Sequence, residues 1–159
     1  MDAPSLQALA ALLRSQRLAA LGTLRDGAPF VSMVLYAGAR DLSAFYLHLS
    51  RLAVHTRAIQ TDPRVGLMIA QADPGTGDPQ TLARVSIQGE AVVVPKGAPE
   101  FASAKALYLA RFPDSERNFD LGDFEIYRIV PQAARFVADF GKIYNLTLED
   151  FRQAGREER

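Results

Sequence analysis

The chain has no cysteine, only two histidines in 159 residues, and no excess of either charge. Without cysteine there is no disulfide, no thiolate nucleophile and no thiolate metal site, a composition that fits a reducing compartment. The histidines, His48 and His55, stand seven positions apart with no carboxylate pair at ligand spacing, so no metal site is expected. Lys+Arg and Asp+Glu balance at 18 each, which removes the long-range field on which nucleic-acid binding rests. Standard catalytic signatures are missing too: there is no G-x-S-x-G, no P-loop, no G-x-G-x-x-G after a strand and no H-E-x-x-H. A hydrolytic triad would have to use His48 or His55, and neither lies beside an obvious nucleophile. The segment LQALAALL is too short to span a bilayer, follows Asp2 rather than a basic region, and ends in Arg14 rather than a small-residue cleavage site. The expectation is a cytoplasmic protein with neither a nucleic-acid nor a membrane partner.

What is present suffices for a core. A chain of this length buries roughly 70% of its unfolded surface, and 48% hydrophobic residues are typical of a soluble domain. One domain is expected over 1–159, with an N-terminal helix within 1–16 and a C-terminal helix and tail over 147–159.

The stretch FYLHLSRLAVHTRAIQTDPRV, Phe45 to Val65, organises the rest. Phe45 to Leu49 is aromatic and apolar enough for a strand, Ser50 stands where a helix N-cap belongs, and Leu52, His55, Thr56 and Ile59 recur at helical spacing until Asp62-Pro63. A helix N-terminus with free N–H groups, a Ser at its cap and a Thr and His one turn in can hold an anion, phosphate above all. The competing reading is structural: cap serines are common, and a lone histidine on a short helix can be a packing residue.

Elsewhere the patterns alternate. Leu6, Leu9, Ala10 and Leu13 predict an amphipathic helix over residues 5 to 15. Leu18 to Leu24 and Phe30 to Ala37 flank Asp26-Gly27, a hairpin signal. The second run is apolar on both faces, so its outer face must meet a helix, a ligand or a second subunit. Val65 to Ala70 is a further strand, then a Gly/Pro/Asp-rich loop, then Ala83 to Val94 with Arg84, Ser86, Gln88 and Glu90 on its polar face. Gly89 interrupts that strand, which marks a bulge or a close approach. Pro99 to Arg111 reads as a helix, Phe124 to Ile129 and Arg135 to Phe140 as strands, and Thr147 as the cap of a last helix. About six antiparallel strands with flanking helices favour a small barrel. Arg84, a solvated charge on the bland reading, joins Ser50, His55 and Thr56 as a set suited to a phosphomonoester.

The string L-S-R-L-A-V-H-T-R, followed by D-P-R-V and then A-R-V-S-I-Q-G-E-A, resembles the FMN-binding split-barrel superfamily of pyridoxamine 5'-phosphate oxidase. The likeness is closest to the branch that includes heme-degrading flavin-fold proteins, and it runs from about Leu18 to Leu146. It implies a mainly β fold, a six-stranded antiparallel Greek-key split barrel, and a homodimer with FMN at the subunit interface. By the same resemblance Ser32, Met33, Val34 and Leu35 lie nearest the flavin, and His48, Leu49 and Ser50 line the ribityl chain and phosphate. His55 and Thr56 would hold the phosphate, and Arg84 would reach it or the flavin. Phe140-Gly141-Lys142-Ile143-Tyr144 matches a segment that approaches the flavin, through Lys142 and Tyr144. The chain departs from the oxidase proper where Leu35 and Tyr36 replace its basic strand residues, and Tyr108, Arg111 and Ser115 echo its substrate-phosphate residues only at altered spacing. No histidine follows His55 to serve as the iron ligand of the heme-degrading members. The expectation is an FMN-dependent oxidoreductase acting on a small molecule, its catalytic residue unassigned. The alternatives are a non-catalytic flavin- or heme-binding module, a deazaflavin-dependent reductase of the same fold, and an interaction protein with a vestigial site.

Overall fold

A computed structural model of the chain describes residues 1–157; the last two positions of the expected 147–159 tail lie outside them. Helix α1 (Ala3–Ser15) forms where the leucine stripe predicts it, with the Asp2 carboxylate accepting from the Ser5 N–H at its start. Strands β1 (Leu18–Arg25) and β2 (Ala28–Leu35) make the hairpin. Its turn residues Asp26 and Gly27 have φ of 52° and 77°, the left-handed pair that a tight two-residue hairpin turn requires. The order continues through β3 (Ala37–Gly38), β4 (Phe45–Ser50), α2 (Val54–Thr61), β5 (Arg64–Ala70), β6 (Arg84–Val94) and α3 (Pro99–Arg111). It ends with β7 (Phe124–Ile129), β8 (Ala133–Asp139), β9 (Lys142–Leu146) and α4 (Leu148–Arg156). Helix α4 begins in a capping box between Thr147 and Asp150.

The strands pair antiparallel in the order β2-β1-β5-β6-β7-β4-β3, with β8 and then β9 branching from β6. This is the expected class, a mainly β half-barrel with flanking helices, but the described residues hold nine strands rather than six. The extra ones are short. β3 has two residues, and β9 is K-I-Y-N-L, whose pattern does not alternate cleanly. The run expected as one strand from Phe30 to Ala37 is broken at Tyr36, a fully buried residue whose hydroxyl donates to the Leu13 carbonyl. No helix among the described residues is long and apolar enough to cross a membrane.

Register fixes which side chains share a face. Ala19, Leu21, Val34, Leu67, Ile69, Val85, Ile87 and Phe136 point inward to the core, closed by α1 and α4 through Leu9, Leu13, Phe151 and Ala154. The alternate positions, Leu18, Ala20, Val31, Met33, Met68 and Arg84, lie on the outer face.

Strand β6 belongs to both halves of the barrel. Residues 84–90 pair with β5, residues 84–88 also pair with β8, and residues 91–94 pair with β7. The change of partner falls at Gly89, where an added Cβ would lie 2.6 Å from the Val130 carbonyl oxygen and 3.1 Å from Ile129 Cγ2. Both neighbours are held in place, the oxygen by the backbone and the methyl by the core. Gly89→Ala is therefore expected to destabilise by at least about 1–3 kcal/mol, the usual cost of overpacking. Urea unfolding checks this, and an unchanged midpoint would show that the strand can move aside.

Candidate functional site

Strand β4 and helix α2 meet as the sequence predicts, but the junction is capped differently. The helix starts at Val54 with Ala53 as its N-cap, and no side chain caps it. Ser50 is not the cap: its hydroxyl donates to Asp123 Oδ2 and accepts from the Leu52 N–H at 3.1 Å. The extra turn, Arg51 to Ala53, lets Ser50 reach across to the segment before β7 instead. The N–H groups of Val54, His55 and Thr56 thus find no partner among the described residues, while that of Arg57 returns to the Ala53 carbonyl. Ser and Asp are preferred at N-caps because they satisfy such donors, and an uncapped first turn keeps its partial positive charge for an anion.

Two side chains of that turn face the barrel. Thr56 is fully buried, and its Oγ1 has no hydrogen-bond partner. His55 Nδ1 lies 3.0 Å from Ser32 Oγ on β2, and burial alone pulls the imidazole below its ordinary pKa. In the tautomer in which Ser32 donates, Nε2 carries the proton and is left to donate elsewhere. Ser32 and His55 therefore pair under the hairpin, with the buried Thr56 next to His55 in the same turn. A separate groove of about 200 Å³, between Asp26 and the Val54, Arg57, Ala58 and Thr61 face of α2, is lined by Arg25 and Arg57 and by none of those three residues. These two cations were not singled out from the sequence, although Arg57 is the R of the H-T-R string.

The other expected site residues separate. Along β2, Ser32 and Val34 face inward while Met33 and Leu35 face outward, so the four cannot line one surface of a single chain. Leu49 is core. His48 points the other way from Leu49, under α3. Its ring stacks on Phe119 at 3.8 Å, with Tyr108 at 5.6 Å and Phe124 at 5.0 Å. Arg84 does not meet Ser50 either: its Nη1 donates to the carbonyls of Gln80 and Leu82, on the outer face, while His55 and Ser32 lie on the inner one. Tyr144 is engaged by α1, its hydroxyl 3.0 Å from Ser5 Oγ and its ring against Phe136. Lys142 is exposed at the start of β9, near Asp2. Arg111 holds the C-terminal carbonyls of α1, Arg14 and Gln16, a structural role.

The outer face is unusual for its exposed apolar area. Met33 is 67% and Val31 66% exposed, with Leu18 and Met68 beside them, and they line a trough of about 410 Å³ floored by Ala20. Gly22 and Gly66 pair across β1 and β5 and floor a second groove of about 450 Å³ walled by Arg64 and Gln88. No group of His, Asp and Glu suited to a metal occurs among the described residues.

An antiparallel half-barrel, an uncapped α2 with H-T in its first turn, and a family profile described as pyridoxamine 5'-phosphate oxidase over residues 5–138 agree. The chain belongs to the pyridoxamine 5'-phosphate oxidase family. Within it, the chain is similar to proteins named for heme. It is 36% identical over 113 residues to the chloroplastic heme oxygenase HOZ of Arabidopsis thaliana, covering 71% of this chain but only 33% of that protein. The heme oxygenase HutZ of Vibrio cholerae is 22% identical over 126 residues, 79% of this chain and 70% of the relative. Among solved structures, a heme binding protein from Mycobacterium smegmatis superposes with a TM-score of 0.85 at 26% identity, covering 96% of this chain and 62% of that one. The chain thus spans about a third of the Arabidopsis relative and under two thirds of the mycobacterial one.

The cage around His48 has a measurable consequence. Burial first, then Lys96 and Lys105, push its pKa from 6.5 down to about 4. Between those values the unfolded chain takes up a proton that the native ring refuses. The stability due to the neutral ring is therefore present above pH 6.5 and lost as pH falls towards 4, by about 2–3 kcal/mol. Urea unfolding of the wild type and of His48→Phe at several pH values should show a steeper acid loss in the wild type; parallel curves would mean that the ring protonates freely.

Proposed function

We propose that the chain is a homodimeric FMN-binding protein of the oxidoreductase type that grips the cofactor's phosphate at the first turn of α2. The observation that carries this reading is the uncapped N-terminus of α2 above the orphan hydroxyl of Thr56. A buried hydroxyl without a partner costs about 1–3 kcal/mol, and a phosphate oxygen would satisfy it together with the free N–H groups. The Ser32–His55 pair would orient the same ligand. The donor set fits a phosphomonoester: backbone N–H, hydroxyl and imidazole. When bound, FMN supplies the redox chemistry. The chain's own part is to bind and orient it and to exclude water from it.

The dimer is inferred from the outer face. Contiguous exposed apolar side chains of this kind mark an interaction surface, and an isologous contact with a second copy covers them by symmetry. Such a contact would pack the outward Met33 and Leu35 of each chain, and its Arg84, against the same face of the other. A small-molecule substrate would enter between the two copies.

Heme binding is the second reading, favoured by the names of the relatives and by the flat apolar trough over Ala20. The two histidines weigh against histidine ligation of iron, since His48 is caged and His55 is bonded to Ser32. The visible spectrum of the protein as isolated, flavin bands against a Soret band, separates the two readings.

Thr56→Val tests the phosphate grip. Without ligand the variant should be more stable than the wild type by about 1 kcal/mol, because an unsatisfied buried hydroxyl is removed. It should also bind FMN roughly tenfold more weakly while binding riboflavin unchanged. Thermal unfolding and titration of both ligands check this; equal effects on FMN and riboflavin would sink the assignment.

A further inference from the structure

Between α3 and β7 the chain runs as a 3-10 helix, Pro113–Asp120, and none of its eight residues is buried. A 3-10 run of that length is uncommon, because its hydrogen-bond geometry is poorer than that of an α-helix. Phe119 is the residue that packs it on the apolar clusters beneath. The ring stacks on His48 at 3.8 Å, with Tyr108 at 6.1 Å and the Lys105 ammonium 4.9 Å from its centre.

Just beyond Phe119 the same segment is tied to the end of β4 a second time. The Gly122 carbonyl accepts from Arg51 Nη2 at 2.9 Å, the Asp123 carbonyl from the Arg51 N–H at 2.7 Å, and Asp123 Oδ2 from the Ser50 hydroxyl. His48 and Ser50 are alternate residues of one strand, so both fasten the segment to the same face of β4. Gly122 leaves room for the backbone to turn there, since an added Cβ would meet nothing within 4 Å.

We propose that residues 113–123 form an acid-released strap, with Phe119 on His48 as its catch, whose release frees Ser50 and Arg51 at the head of α2. Both charges that act on the His48 ring are positive, Lys96 from the connection between β6 and α3 and Lys105 from α3. The strap's Asp114, Glu116, Asp120 and Asp123, and Glu125 of β7, supply no counter-charge to it. The other groups packed on the ring are Phe119, Phe124 of β7 and Tyr108 of α3, whose hydroxyl is kept neutral by burial. An aromatic face attracts a cation, but burial and the two ammonium groups outweigh that attraction and hold the ring neutral down to about pH 4. Once the strap lifts, the ring meets water and titrates near its ordinary pKa of about 6.5. Lifting therefore takes up a proton. The closed strap is fully favoured above pH 6.5, and its advantage is lost as pH falls towards 4.

The test is amide hydrogen exchange on the full-length protein, followed by NMR between pH 7.5 and pH 5 and corrected for the intrinsic pH dependence of exchange. It needs no cofactor, so its outcome is independent of the flavin reading. The Arg51 N–H, bonded to the Asp123 carbonyl, and the Ser115 N–H, bonded to that of Phe112, report the strap; the N–H groups of Ala91 and Gln132 report the barrel. Strap protection should fall roughly 30-fold at pH 5 while barrel protection holds. His48→Phe keeps a stacking ring that cannot titrate and should abolish the fall. Lys96→Gln combined with Lys105→Gln should shrink it, because the ring then protonates more readily under the closed strap, and this variant decides the matter if His48→Phe does not fold. Strap protection that is constant with pH, that falls equally in these variants, or that falls only together with the barrel overturns the proposal.

Discussion

The barrel depends on one close approach. Strand β6 can serve β5 and β8 with its first half and β7 with its second only because the backbone at Gly89 passes within contact distance of Val130, where any side chain would intrude. That crossing turns an open sheet into a half-barrel with an inside and an outside. The neighbouring bonds reinforce it: Gln132 N–H donates to the Gln88 carbonyl and Ala91 N–H to the Pro63 carbonyl, so the segments entering β5 and β8 are tied on either side of the bend. Without it the hairpin and α2 would share no enclosed face, and Thr56 could not be fully buried.

The two faces then divide the chemistry. Alternation along β2 sends Ser32 inward to His55 and Met33 outward to the apolar trough, so one strand contributes to a polar cluster and to an exposed apolar surface at once. β6 does the same with Val85 in the core and Arg84 outside. A single chain cannot join these halves, since the sheet lies between them.

Much of this was legible in the residues. Strand and helix periods place every α-helix and every strand of six or more residues within a few positions, Asp26-Gly27 fixes the hairpin, and of the bulge or close approach expected at Gly89 the structure has the close approach. The eight-residue 3-10 helix Pro113–Asp120 carries no such period. What escaped was decided by distant contacts. Ser50 has the composition and position of an N-cap, but Asp123, 73 residues away, draws its hydroxyl aside. His48 shares a motif with Ser50, but strand alternation turns it to the aromatic residues of α3 and the segment after it, with Phe119 far along the chain. Arg84 and Ser50 were grouped because their chemistry suits one ligand, and chemistry alone does not reveal on which side of a sheet a residue lies. Arg111 and Tyr144 bond the end of α1 and Ser5, tying the N-terminal helix to the rest through partners far along the chain.

The displacement of Ser50 has a meaning of its own. Had it capped α2, the donors at the helix start would be satisfied and the local dipole partly neutralised, which adds about 1 kcal/mol to a helix but closes the site to an anion. The chain instead has Ala53 at the cap, Ser50 bound to Asp123, and a buried threonine hydroxyl without a partner in the same turn. The missing cap and the orphan hydroxyl depart from what stability alone favours, and both fall in the first turn of α2. Two local sacrifices of stability in one turn are better explained by a shared ligand than by independent accidents, because a ligand bearing acceptor oxygens would reverse both penalties at once.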